Sequence, residues 1–263
     1  MIDNPRSPRV RAVAKLAKRS ARTETGLFLV EGPQAVAEAF AYQPNAVIEL
    51  FMTPAALDRH SDLVRAAADL GIEAEVVSEQ VLDTMADTVT PQGVLVVCRQ
   101  FAVTVAQLVS GKPRLLAILE EVRDPGNAGT IIRAADAAGA DGVILTGRSV
   151  DAYNPKVVRS TTGSIFHLPI AQHGTLDDAL DAVRAAGVRV LAADIKGIDL
   201  PEVRGELTQP TAWLFGNEAH GLPDEVLDRA DRVVRVPIYG KAESMNLATA
   251  ASVCIYESAF AQR

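Results

Sequence analysis

Three short stretches in the second half of the chain set small and polar residues directly behind apolar runs, where a purely structural turn has no need of them. The first is Asp124-Pro125-Gly126-Asn127-Ala128-Gly129-Thr130, followed by Ile131-Ile132-Arg133. Gly126 and Gly129 let backbone approach a ligand, and the helix expected to follow aims its N-terminal amides at the same place, which suits an anion such as phosphate. Arg133, read as about one turn into that helix, is placed to reach back toward the same mouth. A plain strand-to-helix turn that uses glycines for geometry alone is the competing reading. The second stretch, Leu214-Phe215-Gly216-Asn217-Glu218-Ala219-His220-Gly221-Leu222-Pro223, offers an amide and a carboxylate at a strand end. His220 has the ordinary titration range of a general base, but no partner for it is evident in the sequence, so it is left outside the site. The third, Val236-Pro237-Ile238-Tyr239-Gly240-Lys241-Ala242-Glu243-Ser244-Met245-Asn246-Leu247, leads into a helix that Ser244 or Asn246 could cap. Capping alone leaves the unusual residues before it unexplained.

A dinucleotide site, and with it an oxidoreductase, is the first alternative to weigh. The spacing around Gly126 and Gly129 is GxxG rather than GxGxxG. The next apolar run, Val143–Leu145, ends in Thr146-Gly147 and not in the acid that would hold a ribose diol.

These loops need a scaffold, and the hydrophobic pattern describes one. Strands are expected at 27–31, 47–52, 74–77 and 93–99, with helices near 34–41, 61–70 and 79–85. The polar break Ser110-Gly111-Lys112-Pro113 reads as a domain boundary. Beyond it strands at 115–120, 142–145, 189–193, 212–215 and 232–236 alternate with helices at 128–139, 155–161, 176–186, 223–230 and about 246–261. The fold class is therefore α/β, with residues 1–110 as one domain and 111–263 as a second built on a mostly parallel sheet. Ligands of such a sheet gather at the carboxyl ends of its strands.

Composition fits this scaffold and narrows the partners. With 263 residues, 48% hydrophobic and 22% charged, the chain can fill two ordinary cores. Cys98 and Cys254 each sit in an apolar run without a CxxC or a histidine cluster, so both read as buried core thiols and no metal is expected. No apolar run reaches the roughly 18 residues of a membrane span, and the N-terminus has no signal core, so a cytoplasmic protein with no membrane partner is expected. The net charge of −7 argues against wholesale coating of nucleic acid. Positive charge is instead concentrated at the N-terminus, where Arg9, Arg11, Lys15, Lys18, Arg19 and Arg22 lie on or near a helix with a narrow apolar stripe. That cluster is either a solvated helix face or an arm for RNA phosphates. Lys156 and Arg159 pose the same choice.

Taken together, the three loops resemble the motifs of the SpoU (TrmH-like) family of SPOUT methyltransferases. The NxGxxxR pattern is met by Asn127, Gly129 and Arg133, and GNExxGL by Gly216, Asn217, Glu218, Gly221 and Leu222. Proline followed by SxN-hydrophobic is met by Pro237, Ser244, Asn246 and Leu247. Upstream, Gly26–Gly32 and Thr90–Val94 are similar to the ribosomal-protein-like RNA-binding domain of two-domain rRNA-modifying members, a layout shared with members that confer thiopeptide resistance. Gln34 and Glu243 depart from the residues many members carry. The resemblance implies a C-terminal SPOUT domain with a trefoil knot, a homodimer, and S-adenosylmethionine as methyl donor. Its implied pocket is formed around Leu214, Gly216, Asn217, Glu218, Gly221, Val236, Ile238, Met245 and Leu247. It implies methylation of a ribose 2′-hydroxyl, with 23S rRNA favoured over tRNA, carried by Arg133, Asn127, Glu218, Ser244 and Asn246. Arg133 would act across the dimer interface. An arginine is hardly ever deprotonated, so an electrostatic role suits it better than that of a base. An RNA-binding protein of the same fold without catalysis is the second alternative.

Overall fold

The computed structural model describes residues 1–263 apart from the side chain at position 173. The chain forms two compact units, one of residues 1–101 with 153–167 and the other of residues 102–152 with 168–263.

In the first unit four strands, β1 (Leu27–Glu31), β2 (Val47–Met52), β3 (Ala74–Val76) and β4 (Val94–Arg99), make a sheet in the order β1-β4-β2-β3. β4 runs antiparallel to both β1 and β2, and β2 is parallel to β3. Strand side chains alternate between faces. Leu29, Phe51, Leu95 and Val97 point to one face, where Val10, Val13 and Leu16 of the N-terminal segment and Val81, Leu82 and Met85 of helix Glu79–Met85 cover them.

The basic N-terminus is two helices, Pro8–Lys15 and Arg19–Thr25, rather than one. The break matters for Arg22, which is 1% exposed. Its guanidinium donates to the carbonyls of Leu16 (2.9 Å) and Ala17 (2.8 Å), groups left without helical partners where the first helix ends. Arg22 is thus spent on the fold, a correction to its reading as an RNA contact. Arg9 is also held within the unit, bonded to Glu49 (2.6 Å) and Glu75 (3.0 Å) with its guanidinium 5.3 Å from the centre of the Phe51 ring. Arg11, Lys15, Lys18 and Arg19 remain exposed.

Segment 153–167 packs in this unit through aromatic and ionic contacts. Phe28, Phe101, Tyr153 and Phe166 cluster with ring centroids 4.6–6.4 Å apart, and the Phe101 amide donates to the Tyr153 hydroxyl at 2.8 Å. Arg159, in helix Pro155–Thr161, forks between Glu31 (3.0 Å) and Asp87 (2.8 Å). The geometry corrects its reading as a phosphate contact, whereas Lys156 on the same helix is exposed.

The second unit carries six parallel strands: β5 (Leu115–Glu120), β6 (Gly142–Thr146), β7 (Ile170–Gly174), β8 (Arg189–Asp199), β9 (Thr211–Phe215) and β10 (Arg232–Arg235). Their order is β10-β8-β9-β5-β6-β7, and every pair is parallel. β5 and β9 are buried along nearly their whole length, as a sheet covered on both faces requires. On one face helices Pro125–Ala138 and Leu247–Gln262 pack together. Trp213 reaches the second of them by donating its indole N–H to Ser258 Oγ at 2.8 Å. On the other face Leu176, Ala179, Leu180 and Val183 join Leu108 in a core with Ile118, Val190 and Leu214. From β5 the chain builds one side of the sheet through β6 and β7 and the other through β8, β9 and β10. The strand order therefore switches beside β5, where ligands of open α/β sheets bind.

Both cysteines are fully buried, and burial pushes each thiol up to about 12. No helix among the described residues is long and apolar enough to cross a membrane.

Candidate active site

The three polar loops meet at the carboxyl ends of β5 and β9. Behind β9, Gly216 is buried, and a side chain there would run into the backbone of Gly221, 2.6 Å from the position of its Cβ. That close approach lets residues 217–221 fold back on themselves. The Asn217 amide donates to the Gly221 carbonyl (3.2 Å), the Gly221 amide donates to the Asn217 carbonyl (2.9 Å), and Gly221 takes a positive φ of 65°. The Asn217 side chain then pins the loop, accepting from the amides of Ala219 and His220 while its Nδ2 donates to the Glu121 carbonyl at 2.9 Å. His220 does have a neighbour that the sequence hides, since its Nδ1 lies 3.2 Å from Asn217 Oδ1.

This fold-back presents Glu218 to the loop after β5. Its carboxylate accepts from the backbone amides of Arg123 (3.3 Å) and Asp124 (3.1 Å) and from Asn127 Nδ2 (3.3 Å). Asp124 caps helix Pro125–Ala138 by accepting from the Asn127 amide at 2.7 Å, so Asn127 is fixed at both backbone and side chain. Asn246 closes the chain of bonds. Its Oδ1 caps helix Leu247–Gln262 by accepting from the Thr249 amide (3.2 Å), and its Nδ2 donates to Asn127 Oδ1 (2.9 Å). The capping role and the site role of Asn246 are therefore the same geometry. One residue from each loop, Asn246, Asn127 and Glu218, stands in a single hydrogen-bonded line.

Beside that line lies a cleft of about 410 Å³. Asn217, Glu218, Gly221, Val236, Ile238, Ser244, Met245 and Leu247 are in its wall. Leu214 and Gly216 are not. Leu214 points into the core with Ile118 and Val190, because it alternates with Phe215, which does face the cleft. The motifs gave no sign of Ala193–Lys196, where β8 continues past its expected end and adds a further wall. Apolar walls from Phe215, Leu222, Val234 and Met245, with loop backbone between them, fit an adenine. The volume also falls within the range of small-molecule sites, about 300–1,000 Å³. Among the described residues no three His, Cys, Asp or Glu side chains gather as a metal site.

Arg133 lies farther along helix Pro125–Ala138. It is the ninth residue of its helix, a little over two turns in and not one. It is exposed, and it belongs to neither of the clefts that Glu218 lines.

Comparison with known proteins identifies the family. Residues 114–256 match the SpoU rRNA Methylase family, and residues 29–103 match the RNA 2'-O ribose methyltransferase substrate binding family. The 23S rRNA (guanosine(2553)-2'-O)-methyltransferase RlmP of Bacillus subtilis is 34% identical over 258 residues, covering 97% of each chain. A 23S rRNA (uridine(2479)-2'-O)-methyltransferase of Streptomyces viridochromogenes is 32% identical over 93% of this chain and 86% of its own. The crystal structure of an AdoMet-bound rRNA methyltransferase from Sinorhizobium meliloti superposes with a TM-score of 0.85 at 32% identity, covering 98% of this chain and 96% of that one. The chain belongs to the SpoU rRNA Methylase family.

Proposed function

We propose that this protein methylates a ribose 2′-hydroxyl of 23S rRNA, with S-adenosylmethionine bound in the cleft beside Asn217 and Met245. The observation that carries the reading is the bonded line Asn246–Asn127–Glu218, which joins all three family motifs at the carboxyl end of β5. Support for the substrate comes from the two relatives named for 23S rRNA 2′-O-methylation and from the substrate-binding match over residues 29–103.

S-adenosylmethionine supplies an electrophilic methyl group. The protein contributes position and charge. Glu218 draws the loop after β5 inward through two backbone amides, and Asn127 and Asn246 lock that loop to the segment carrying Ser244 and Met245. Ser244 is part of the cleft wall, where a hydroxyl can orient the donor or the ribose. Arg133 contributes a fixed positive charge that binds a phosphate and stabilises the oxygen as it loses its proton. Its exposed position, outside the linings of both clefts of its own chain, favours service to the site of a second copy, so the working unit is a homodimer. The C-terminal knot of the family accompanies this reading. Exposed Arg11, Lys15, Lys18, Arg19 and Lys156 add phosphate contacts.

The test is Arg133→Ala. It should lower methylation by about 10²–10³-fold, the loss typical of removing one charge-stabilising group, and leave S-adenosylmethionine affinity by calorimetry and the dimer by light scattering unchanged. Near-wild-type turnover would overturn the role of Arg133. Failure of the wild type to bind S-adenosylmethionine would overturn the activity itself. Mapping 2′-O-methyl sites in rRNA with and without the gene then identifies the nucleotide.

A further inference from the structure

Glu121, the residue directly after β5, takes a conformation that its side chain makes costly. Its φ is +55°, a left-handed geometry that glycine adopts freely and that costs other residues roughly 1 kcal/mol or more. A side chain kept at such a position needs a use, and the contacts of this one supply it.

Both carboxylate oxygens hold arginine. Oε2 accepts from Arg123 Nη2 at 2.7 Å. Oε1 accepts from the backbone amide of Arg148 at 2.8 Å, and the Arg148 Nε lies 3.3 Å from Oε2. Arg123 comes from the loop after β5 and Arg148 from the loop after β6, so one acid ties together two strand ends. Gly147 makes the second approach possible, because a Cβ there would lie 2.7 Å from Glu121 Oε1. Asn217 fixes the backbone of Glu121 from the other side by donating to its carbonyl.

The acid is consumed by this arrangement and the bases are not. The Glu121 side chain is 27% exposed, those of Arg123 and Arg148 are 56% and 82% exposed, and the trio carries a net charge of about +1. Each guanidinium has five N–H donors in a planar fork, so both keep donors turned to solvent. Both arginines line a second cleft of about 1060 Å³, and the loop from Asn217 to Gly221 is the wall it shares with the first. Glu120, Asp124 and Glu218 line the same cleft, but Asp124 and Glu218 accept from backbone amides, so the two exposed guanidinium groups are its cationic donors at the edge of the proposed reaction site.

We propose that Arg123 and Arg148, held by Glu121, clamp the RNA phosphodiester next to the nucleotide being methylated. The clamp rests on the RNA-methyltransferase reading above. Its ligand is the phosphate backbone, so it adds affinity and register without reading the base.

The test uses the full-length protein and unmodified 23S rRNA transcribed in vitro. Arg123→Ala/Arg148→Ala should raise the KM for RNA about tenfold or more at moderate salt. It should also flatten the dependence of log affinity on log salt by about 0.7–0.9, the slope of one neutralised phosphate. The calorimetric affinity for S-adenosylmethionine should stay within about twofold, since its carboxylate is not the ligand. Lysine at both positions should recover part of the salt slope, because a point charge still neutralises phosphate. Glu121→Gly keeps both arginines and removes the strain along with the holder. It should fold normally and raise KM by several-fold with little change in kcat. A double variant with wild-type KM and salt slope would overturn the clamp, and so would one that loses S-adenosylmethionine affinity instead. A wild type that binds S-adenosylmethionine yet neither binds nor methylates the RNA would overturn the parent reading, and the clamp with it.

Discussion

Each unit of the molecule contains three-membered ion clusters, and one from each unit can be set side by side because they are built in opposite proportions. In the first unit one base, Arg159, serves two acids, Glu31 and Asp87. In the second, one acid, Glu121, serves two bases, Arg123 and Arg148. In this pair the proportion goes with which member is left over. Two acids saturate the fork of Arg159 and draw it inward, and Glu31 is only 6% exposed at its side chain. Glu31 also accepts from the amides of Asp87 and Thr88, so its charge is fully coordinated. A single acid cannot saturate two forks, and Arg123 and Arg148 stay out in water with donors to offer. The first arrangement ties down a fold and the second holds out a ligand site. A count of arginines in a sequence does not distinguish them.

The comparison can be broken by stability measurements. Arg159→Ala leaves a buried Glu31 and a half-buried Asp87 without their cation. Breaking a buried pair costs about 3–5 kcal/mol, and the 30% exposure of Arg159 discounts this to about 2–3 kcal/mol. Urea denaturation should show that loss. Arg148→Ala, at 82% exposure, should change stability by less than about 0.5 kcal/mol. Equal losses from the two substitutions would mean that the exposed pair is structural after all, and the proportions argument would fail. Adding Glu31→Gln and Asp87→Asn to Arg159→Ala should restore part of the loss, because the penalty lies in the stranded charges.

What the sequence made legible follows the same line between local and long-range causes. β1, β2 and β5 are recovered at both ends, because apolar runs bounded by Gly, Pro or acid carry their own limits. The three loops were legible because Gly216, Asn217, Glu218 and Asn127 are costly or idle in ordinary turns. β7 was missed, being short and closed by Gln172-His173-Gly174 with no apolar signal. Helix Val105–Ser110 was missed just ahead of the polar break, although Thr104 and Gln107 form a capping box there. β8 runs six residues past its expected end, since Gly197 lets it lie against the backbone of Val233 and Val234 where β10 shifts register. The burial of Arg22 was not legible, because it depends on the chain reversal that brings it to Leu16 and Ala17. Nor was the Glu121 trio, whose partners come from two different strand ends.

The smallest expected effect sharpens the comparison most, because it sets two adjacent acids against each other. Glu121, bonded first by Arg123 and then by Arg148 against an opposing cost of burial, is held below the usual carboxylate range. Glu120 has no arginine. Burial pushes it up, a hydrogen bond from Thr146 opposes this, and the charges of Glu121 and Asp177 add to the rise. The signs then differ. For Glu121 the folded-state pKa is depressed, so its stabilisation is present above the ordinary value of about 4.3 and is lost as pH falls through the folded pKa. For Glu120 the folded-state pKa is raised, so the protonated acid is favoured below about 4.3 and that advantage is lost as pH rises through the folded pKa. Glu121→Gln should therefore melt below the wild type at neutral pH, by a margin that shrinks on acidification. Glu120→Gln keeps an acceptor for Thr146 and removes the buried charge, so it should melt above the wild type at neutral pH, with the gap also closing toward acid. Melting curves between about pH 4 and 8 read both. Shifts of the same sign would show that the two acids share one environment, and that Glu121 is not set apart by the arginines it holds.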